Sequence, residues 1–191
     1  AEIINTDPEQ ITLYSQDVFT VGPPICAVVR PRNIDEVQAL VRACLERGTP
    51  IVTRGGGMSY TSGYIANAPD SVLIDMASMD AIVEVNLEDR YVTVEAGCSW
   101  QKLYEHLAPL GVRTAYWGTL SGRYATVGGG LSQNSIFWGS GQRGTAADNV
   151  LSVSVVTGKG DMLETGSAAQ QHAAPFTRHF GPDLTGVFLG H

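Results

Sequence analysis

The sequence predicts a fold of mixed helix and strand, and three observations carry that reading. A strand, an amphipathic helix and a second strand follow one another between residues 25 and 52. From residue 71 the texture changes to short β segments divided by polar turns. Two loops rich in glycine and hydroxyl residues, about sixty-five residues apart, interrupt these elements.

Residues 1–24 are polar and punctuated by Pro8, Pro23 and Pro24, which predicts a short helical entry and a loop. Ile25 to Val29 is apolar and largely β-branched, a buried strand stopped by Pro31, which cannot donate to a ladder. Asn33 stands three residues before Glu36, the spacing of an N-cap and capping box. Behind it Ile34, Val37, Leu40, Val41, Cys44 and Leu45 recur at helical spacing, and Gly48 takes the C′ place. Pro50-Ile51-Val52 is the next strand, so the three elements read as a right-handed βαβ unit.

The first loop, Thr53 to Gly63, contains Gly55-Gly56-Gly57-Met58-Ser59-Tyr60. Three consecutive glycines permit positive φ and turn backbone N–H groups inward as a nest for an anion. Ser59 and Thr61 add hydroxyls; the competing reading is a plain surface turn. The second loop, Gly118-Thr119-Leu120-Ser121 followed by Ala125-Thr126-Val127-Gly128-Gly129-Gly130-Leu131-Ser132, points to one extended ligand held from two sides. A Rossmann site needs its glycines to open a helix. Residues 58–64 have no helical apolar period, and Pro69 follows, so that fold is disfavoured.

Val72–Ile74, Ile82–Val85 and Tyr91–Glu95 read as strands, the last two joined as a hairpin through the polar residues 86–89. Ser99 is placed to cap a helix carrying Trp100, Leu103, Tyr104 and Leu107, ended by Pro109 and Gly111. Val150 to Thr157 is a further strand with a turn at 158–161. Residues 166–182 read as a surface excursion, and Asp183 to Leu189 as a short apolar segment.

A chain of 191 residues forms one domain or two small lobes sharing a core. A chain of that length buries about 70% of its unfolded surface without metal or disulfide. The net charge of −7 and the lack of any Lys/Arg run argue against nucleic-acid binding. No apolar run approaches the length of a membrane helix. Cys26, Cys44 and Cys98 are odd in number and widely spaced, as expected of reduced, mostly buried thiols in a cytoplasmic protein. His106, His172, His179 and His191 show no metal-ligand spacing, so no metal site is expected. Asp75, Glu84 and Glu95 end or punctuate strands and are expected to be solvated, while Trp117 and Trp138 are expected to pack beside the second loop. Tyr60 and Tyr64 are the polar aromatics nearest the first loop.

Taken together, Val28-Val29-Arg30-Pro31, the Arg54–Gly63 loop, Ala125-Thr126-Val127-Gly128-Gly129 and the run from Gly144 through Asp148-Asn149-Val150-Leu151 into Val153-Ser154-Val155-Val156 carry a resemblance. In that order they resemble the FAD-binding domain of the vanillyl-alcohol oxidase and p-cresol methylhydroxylase flavoproteins, the FAD-linked oxidases. Within that family they look most like glycolate and D-lactate dehydrogenases. The resemblance implies an α+β architecture of two lobes with FAD between them, residues 1–57 forming a small βαβ lobe and 58–191 a larger, mainly antiparallel lobe. It implies that Gly55, Gly56, Gly57, Met58 and Ser59 cradle the diphosphate, with Tyr60 and Gly63 beside them. Gly118, Ser121, Thr126, Val127, Gly128, Gly129, Ser132 and Ile136 would line the other side. It also implies hydride transfer from a small organic substrate, a 2-hydroxy acid or alcohol, to flavin, although no residue stands out as the base. The alternative is a non-enzymatic flavin-binding module that works with a partner chain. Many relatives attach flavin through a histidine after the loop glycines, where this chain has Met58, or through a cysteine where it has Tyr124, so FAD is expected to be dissociable. Relatives also continue past the equivalent of Gly190 with a sheet-completing strand and a substrate cap. The expectation here is an open C-terminal edge prone to self-association.

Overall fold

The computed structural model describes residues 3–169 and 182–190. His172, His179, His191 and most of the excursion expected over 166–182 lie outside the described residues.

The first part of the chain builds a four-stranded sheet in the order β1-β2-β4-β3. Its strands are β1 (Ile4–Asn5), β2 (Ala27–Val29), β3 (Ile51–Arg54) and β4 (Val72–Asp75). β4 pairs parallel to both β2 and β3, with Leu73 opposite Val28 and Val52, and β1 adds antiparallel to β2. The expected strand–helix–strand unit is split, because β4 lies between β2 and β3. All four β4 residues are buried, and its apolar run Val72-Leu73-Ile74 belongs at the centre of a parallel sheet covered on both faces. The small sheet thus draws on a strand beyond residue 57, and the first glycine loop becomes the connection between two parallel neighbours.

Alternation along the strands decides what each face meets. Ala27, Val29, Val72 and Ile74 face α2 (Ile34–Arg47) through Val37, Val41 and Cys44. Val28 and Leu73 face the other way, toward Tyr14 at the end of α1 (Pro8–Tyr14), Ile25 and Ala66. The Asn33 side chain accepts the Glu36 N–H at 2.9 Å, and Gly48 ends α2 at φ 64°. The returning half of the capping box is displaced by one residue, since the Glu36 carboxylate accepts from the Arg32 N–H and guanidinium.

The second part carries two antiparallel hairpins. β5 (Ile82–Asn86) pairs with β6 (Tyr91–Val94), and β7 (Ser154–Val156) with β8 (Met162–Glu164). Ser99 caps α3 (Trp100–Leu107) by accepting the Lys102 N–H at 3.1 Å. Trp100, Leu103 and Leu107 pack with Cys98, Tyr116, Val127 and Ala146 into the second core. The helices α4 (Val127–Ser132) and α5 (Ser140–Arg143) are short. β7 is shorter than the expected Val150–Thr157 strand because the Thr165 hydroxyl takes both the N–H and the carbonyl of Val153, ending the ladder there. Gln38 and Arg42 of α2 both donate to the Gly160 carbonyl at 2.8 Å, tying the β7–β8 turn to the first sheet. Asp183–Leu189 contains a 3₁₀ turn, and Gly190 donates back to Leu131 of α4.

Two expectations about single residues change. Asp75 is buried at 1% exposure rather than solvated, because Tyr14 and Arg30 both donate to it. Trp138 stands 65% exposed, whereas Trp117 packs between Trp100 and Tyr104. Cys44 and Cys98 are buried and Cys26 is exposed. Among the described residues no helix is long and apolar enough to cross a membrane, and no group of residues could hold a metal ion.

Candidate functional site

β3 ends at Arg54 and delivers Gly55–Gly57 at the C-terminal end of the parallel strands. The glycines lie directly on the second loop. A Cβ on Gly55 would run into the Thr126 side chain, and one on Gly56 into the Tyr124 carbonyl and the Ala125 nitrogen. Gly57 has φ +66°, a left-handed conformation that glycine adopts without strain. Its Cα faces the Arg54 guanidinium. The missing Cβ atoms therefore admit the second loop as much as any ligand, and the two predicted loops form one surface.

The hydrogen-bond inventory separates the two halves of that surface. Among the described residues, the backbone N–H groups of Gly55, Gly56, Gly57, Met58, Ser59 and Tyr60 donate to no atom of the chain. Successive amides without acceptors at a strand end are available to an anion. Opposite, the amides of residues 127–129 are engaged, whereas those of Gly118, Thr119 and Leu120 have no acceptor among the described residues: Val127 N–H donates to Cys98 at 2.8 Å, Gly128 N–H to Ala96 at 3.0 Å, and Gly129 N–H to the Thr126 hydroxyl at 3.1 Å. Val127, Gly128 and Gly129 thus build a wall stitched to the β6–α3 connection rather than a second set of donors. Gly128 lacks a Cβ because Ala96 occupies that space.

Around the nest, Ser59 accepts from the Gln133 amide at 2.7 Å, and Gly63 faces the same amide. Tyr64 is buried and donates to the Gly57 carbonyl at 2.9 Å, whereas Tyr60 is exposed and edge-on to Phe19. Asp17 accepts from the Phe19, Thr20 and Ser62 N–H groups and so anchors the far end of the loop. Those donors, Phe19 first, hold its carboxyl below the ordinary value against partial desolvation.

Of the remaining expected residues, Ser121 closes the turn before Thr126 by accepting from the Tyr124 and Ala125 N–H groups. Gly118 rests on the Trp100 indole, whose buried Nε1 has no hydrogen-bond partner. The Ser132 hydroxyl donates back to Gly129. Ile136 stands exposed past α4, and among the described residues no hydrogen bond joins it to the first loop. Sequence reasoning passed over Gln133 and Arg54 as contributors. Arg54 announced itself only by preceding the glycines, and nothing local marked Gln133. Among the described residues no hydrogen-bonded pair of general base and nucleophile is present here.

The residues fit a phosphate-bearing nucleotide: a run of free amides, hydroxyls beside it, an adjacent guanidinium and a glycine-lined wall opposite. A family profile described as "FAD binding domain" matches residues 25–166. Over 163 residues the chain is 34% identical to the mitochondrial D-lactate dehydrogenase (cytochrome) of Arabidopsis thaliana, covering 85% of this chain and 27% of that protein. It is 36% identical over 142 residues to the D-2-hydroxyglutarate dehydrogenase of Escherichia coli strain K12, covering 73% of this chain and 14% of that one. It is 29% identical to a glycolate oxidase subunit of Bacillus subtilis strain 168, covering 86% and 33%. The chain thus spans about a third or less of these three relatives. Among solved structures, p-cresol methylhydroxylase with substrate bound superposes with a TM-score of 0.81 at 21% identity, over 98% of this chain and 37% of that one. Alkyldihydroxyacetonephosphate synthase does so with 0.82 at 21%, again over 98% and 37%. The α+β arrangement read from the sequence is the fold of these flavoproteins. The chain belongs to the FAD-binding domain family of the FAD-linked oxidoreductases.

Proposed function

We propose that this chain is the FAD-binding part of a flavin-dependent oxidoreductase that oxidises a small 2-hydroxy acid or alcohol, with FAD held by non-covalent contacts alone. The observation that carries the proposal is the run of six unpartnered amides from Gly55 to Tyr60, held in place by the second loop. Gly55 to Ser59 bind the diphosphate; hydrogen bonds from backbone N–H to a charged phosphate contribute about 1.5–3 kcal/mol each. Gly118, Ser121, Thr126 and the 127–129 wall shape the opposite side, while Gly63 lies beside Ser59 and Gln133 and the Ser132 hydroxyl turns back to Gly129. When bound, FAD supplies the hydride acceptor, and the protein contributes position and electrostatics. The 2-hydroxy-acid assignment rests on relatives named for lactate, glycolate and hydroxyglutarate. We assign the two lobes as residues 1–57 and 58–191, with β4 returning to the first.

Two measurements test this. FAD titrated into the protein is expected to bind and to leave the polypeptide on acid denaturation, because Met58 and Tyr124 offer neither imidazole nor thiolate; flavin absorbance remaining with the denatured chain contradicts non-covalent binding. Anaerobic bleaching of the bound flavin by D-lactate, glycolate or D-2-hydroxyglutarate in the full-length protein identifies the substrate class, and no bleaching by any 2-hydroxy acid sinks it. A second reading, a flavin-binding module completed by a partner chain, is favoured by the exposed Leu120, Ile136 and Trp138 around the second loop. Flavin bleaching that appears only when a co-purified partner is restored selects it.

A further inference from the structure

Arg54 is the last residue of β3 and immediately precedes the glycines. Its guanidinium carbon lies 4.5 Å from the Tyr14 ring centroid and 5.4 Å from that of Tyr64. The guanidinium also lies against Gly57, where any Cβ would overlap it. Tyr64 therefore flanks the cation with its ring and fixes the loop with its hydroxyl, through the 2.9 Å bond to the Gly57 carbonyl. Tyr14 is fixed in turn, because its hydroxyl donates to buried Asp75 at 3.1 Å.

The charges in this network do not cancel. Asp75 is matched by Arg30, whose Nε lies 2.9 Å from the same carboxylate oxygen. The Arg54 guanidinium has no ion pair or hydrogen bond among the described residues. It is half-buried, in a chain of net charge −7, where many carboxylates could have served as partners. Aromatic faces attract a guanidinium without neutralising it, whereas a carboxylate would compete with an incoming anion. A half-buried cation lacking a counter-ion, set against six amides lacking acceptors, concentrates positive potential at one point of an acidic molecule.

We infer that Arg54 is a phosphate-binding residue, which supplies the counter-charge for the diphosphate while Tyr14 and Tyr64 hold it under the loop. This rests on the FAD reading of the same site. The test titrates FAD and ADP, which share the diphosphate, into the full-length protein and its variants at low and high salt. Arg54→Met is expected to weaken both ligands about tenfold or more, the loss of one charge-assisted contact. It should also flatten the dependence of log Kd on log salt. Arg54→Lys, which keeps the charge, is expected to retain the wild-type slope. Arg54→Gln is a second neutral variant with a planar polar head, so a folding defect in one does not remove the test. FAD affinity unchanged in the neutral variants overturns the assignment. So does weakened affinity with an unchanged salt slope, which is the signature of a merely structural role. Wild-type protein that binds neither FAD nor ADP overturns the reading of the whole site, and the assignment with it.

Discussion

At the scale of single residues, glycine acts here by leaving room. Gly56 has no positive φ, so its need for glycine comes from the Tyr124 carbonyl occupying the place of a Cβ. Gly56→Ala is expected to destabilise the protein by about 1–3 kcal/mol, the range for overpacking, because the obstacle is backbone and cannot rotate away. Chemical denaturation measures it, and an unchanged midpoint contradicts the loop–loop packing. Asp17 makes a pH-dependent prediction. Its folded pKa lies below the ordinary 3.8, so its contribution is present above the unfolded value and is lost as pH falls through the folded one. The tie from the 17–20 turn to Ser62 should therefore loosen only in acid below pH 4. A carboxyl chemical-shift titration with its midpoint at or above 3.8 contradicts this, and Asp17→Asn should remove the titration altogether.

At the scale of elements, two residues join local structure to the site. Thr126 caps α4 and also abuts Gly55, so one hydroxyl sets both the helix start and the spacing of the loops. Thr126→Ala is expected to cost about 0.5–2 kcal/mol from the lost cap, and Thr126→Ser to restore it. Comparable stability of the two variants in thermal unfolding would remove the capping account. Leu73 is fully buried at the centre of β4. Leu73→Ala should cost about 2–5 kcal/mol, because both sheet neighbours are strands and the cavity cannot collapse. A loss below that range in urea unfolding argues that β4 is not central.

At the scale of the molecule, ligand binding and folding are linked. FAD at a hundred times its Kd stabilises the native state by about 2.7 kcal/mol. For a domain of this size that corresponds to a rise in Tm of roughly 5–10 °C. Scanning fluorimetry with FAD and with riboflavin, which lacks the diphosphate, checks it; equal shifts from the two would place the binding energy outside the amide nest.

The sequence by itself determined α1 to α3, the strands β2 to β7 and the candidate loops, whereas β1, β8, α5 and the α4 helix inside the second loop went unread. Asn33 and Gly48 bound α2, Ser99 starts α3, and the glycines of both loops are legible because caps and turns depend on neighbours a few residues away. The sequence did not determine the partners. That β4 enters between β2 and β3, that Asp75 is buried against Arg30 and Tyr14, and that Gly56 meets Tyr124 are long-range pairings. Which amides stay free was likewise decided in three dimensions: Gly55 to Tyr60 kept their donors, while Cys98 and Ala96 took those of Val127 and Gly128. Local sequence fixes backbone conformation, but the engagement of a donor depends on which distant carbonyl the packing brings within reach, and only the tertiary structure settles that.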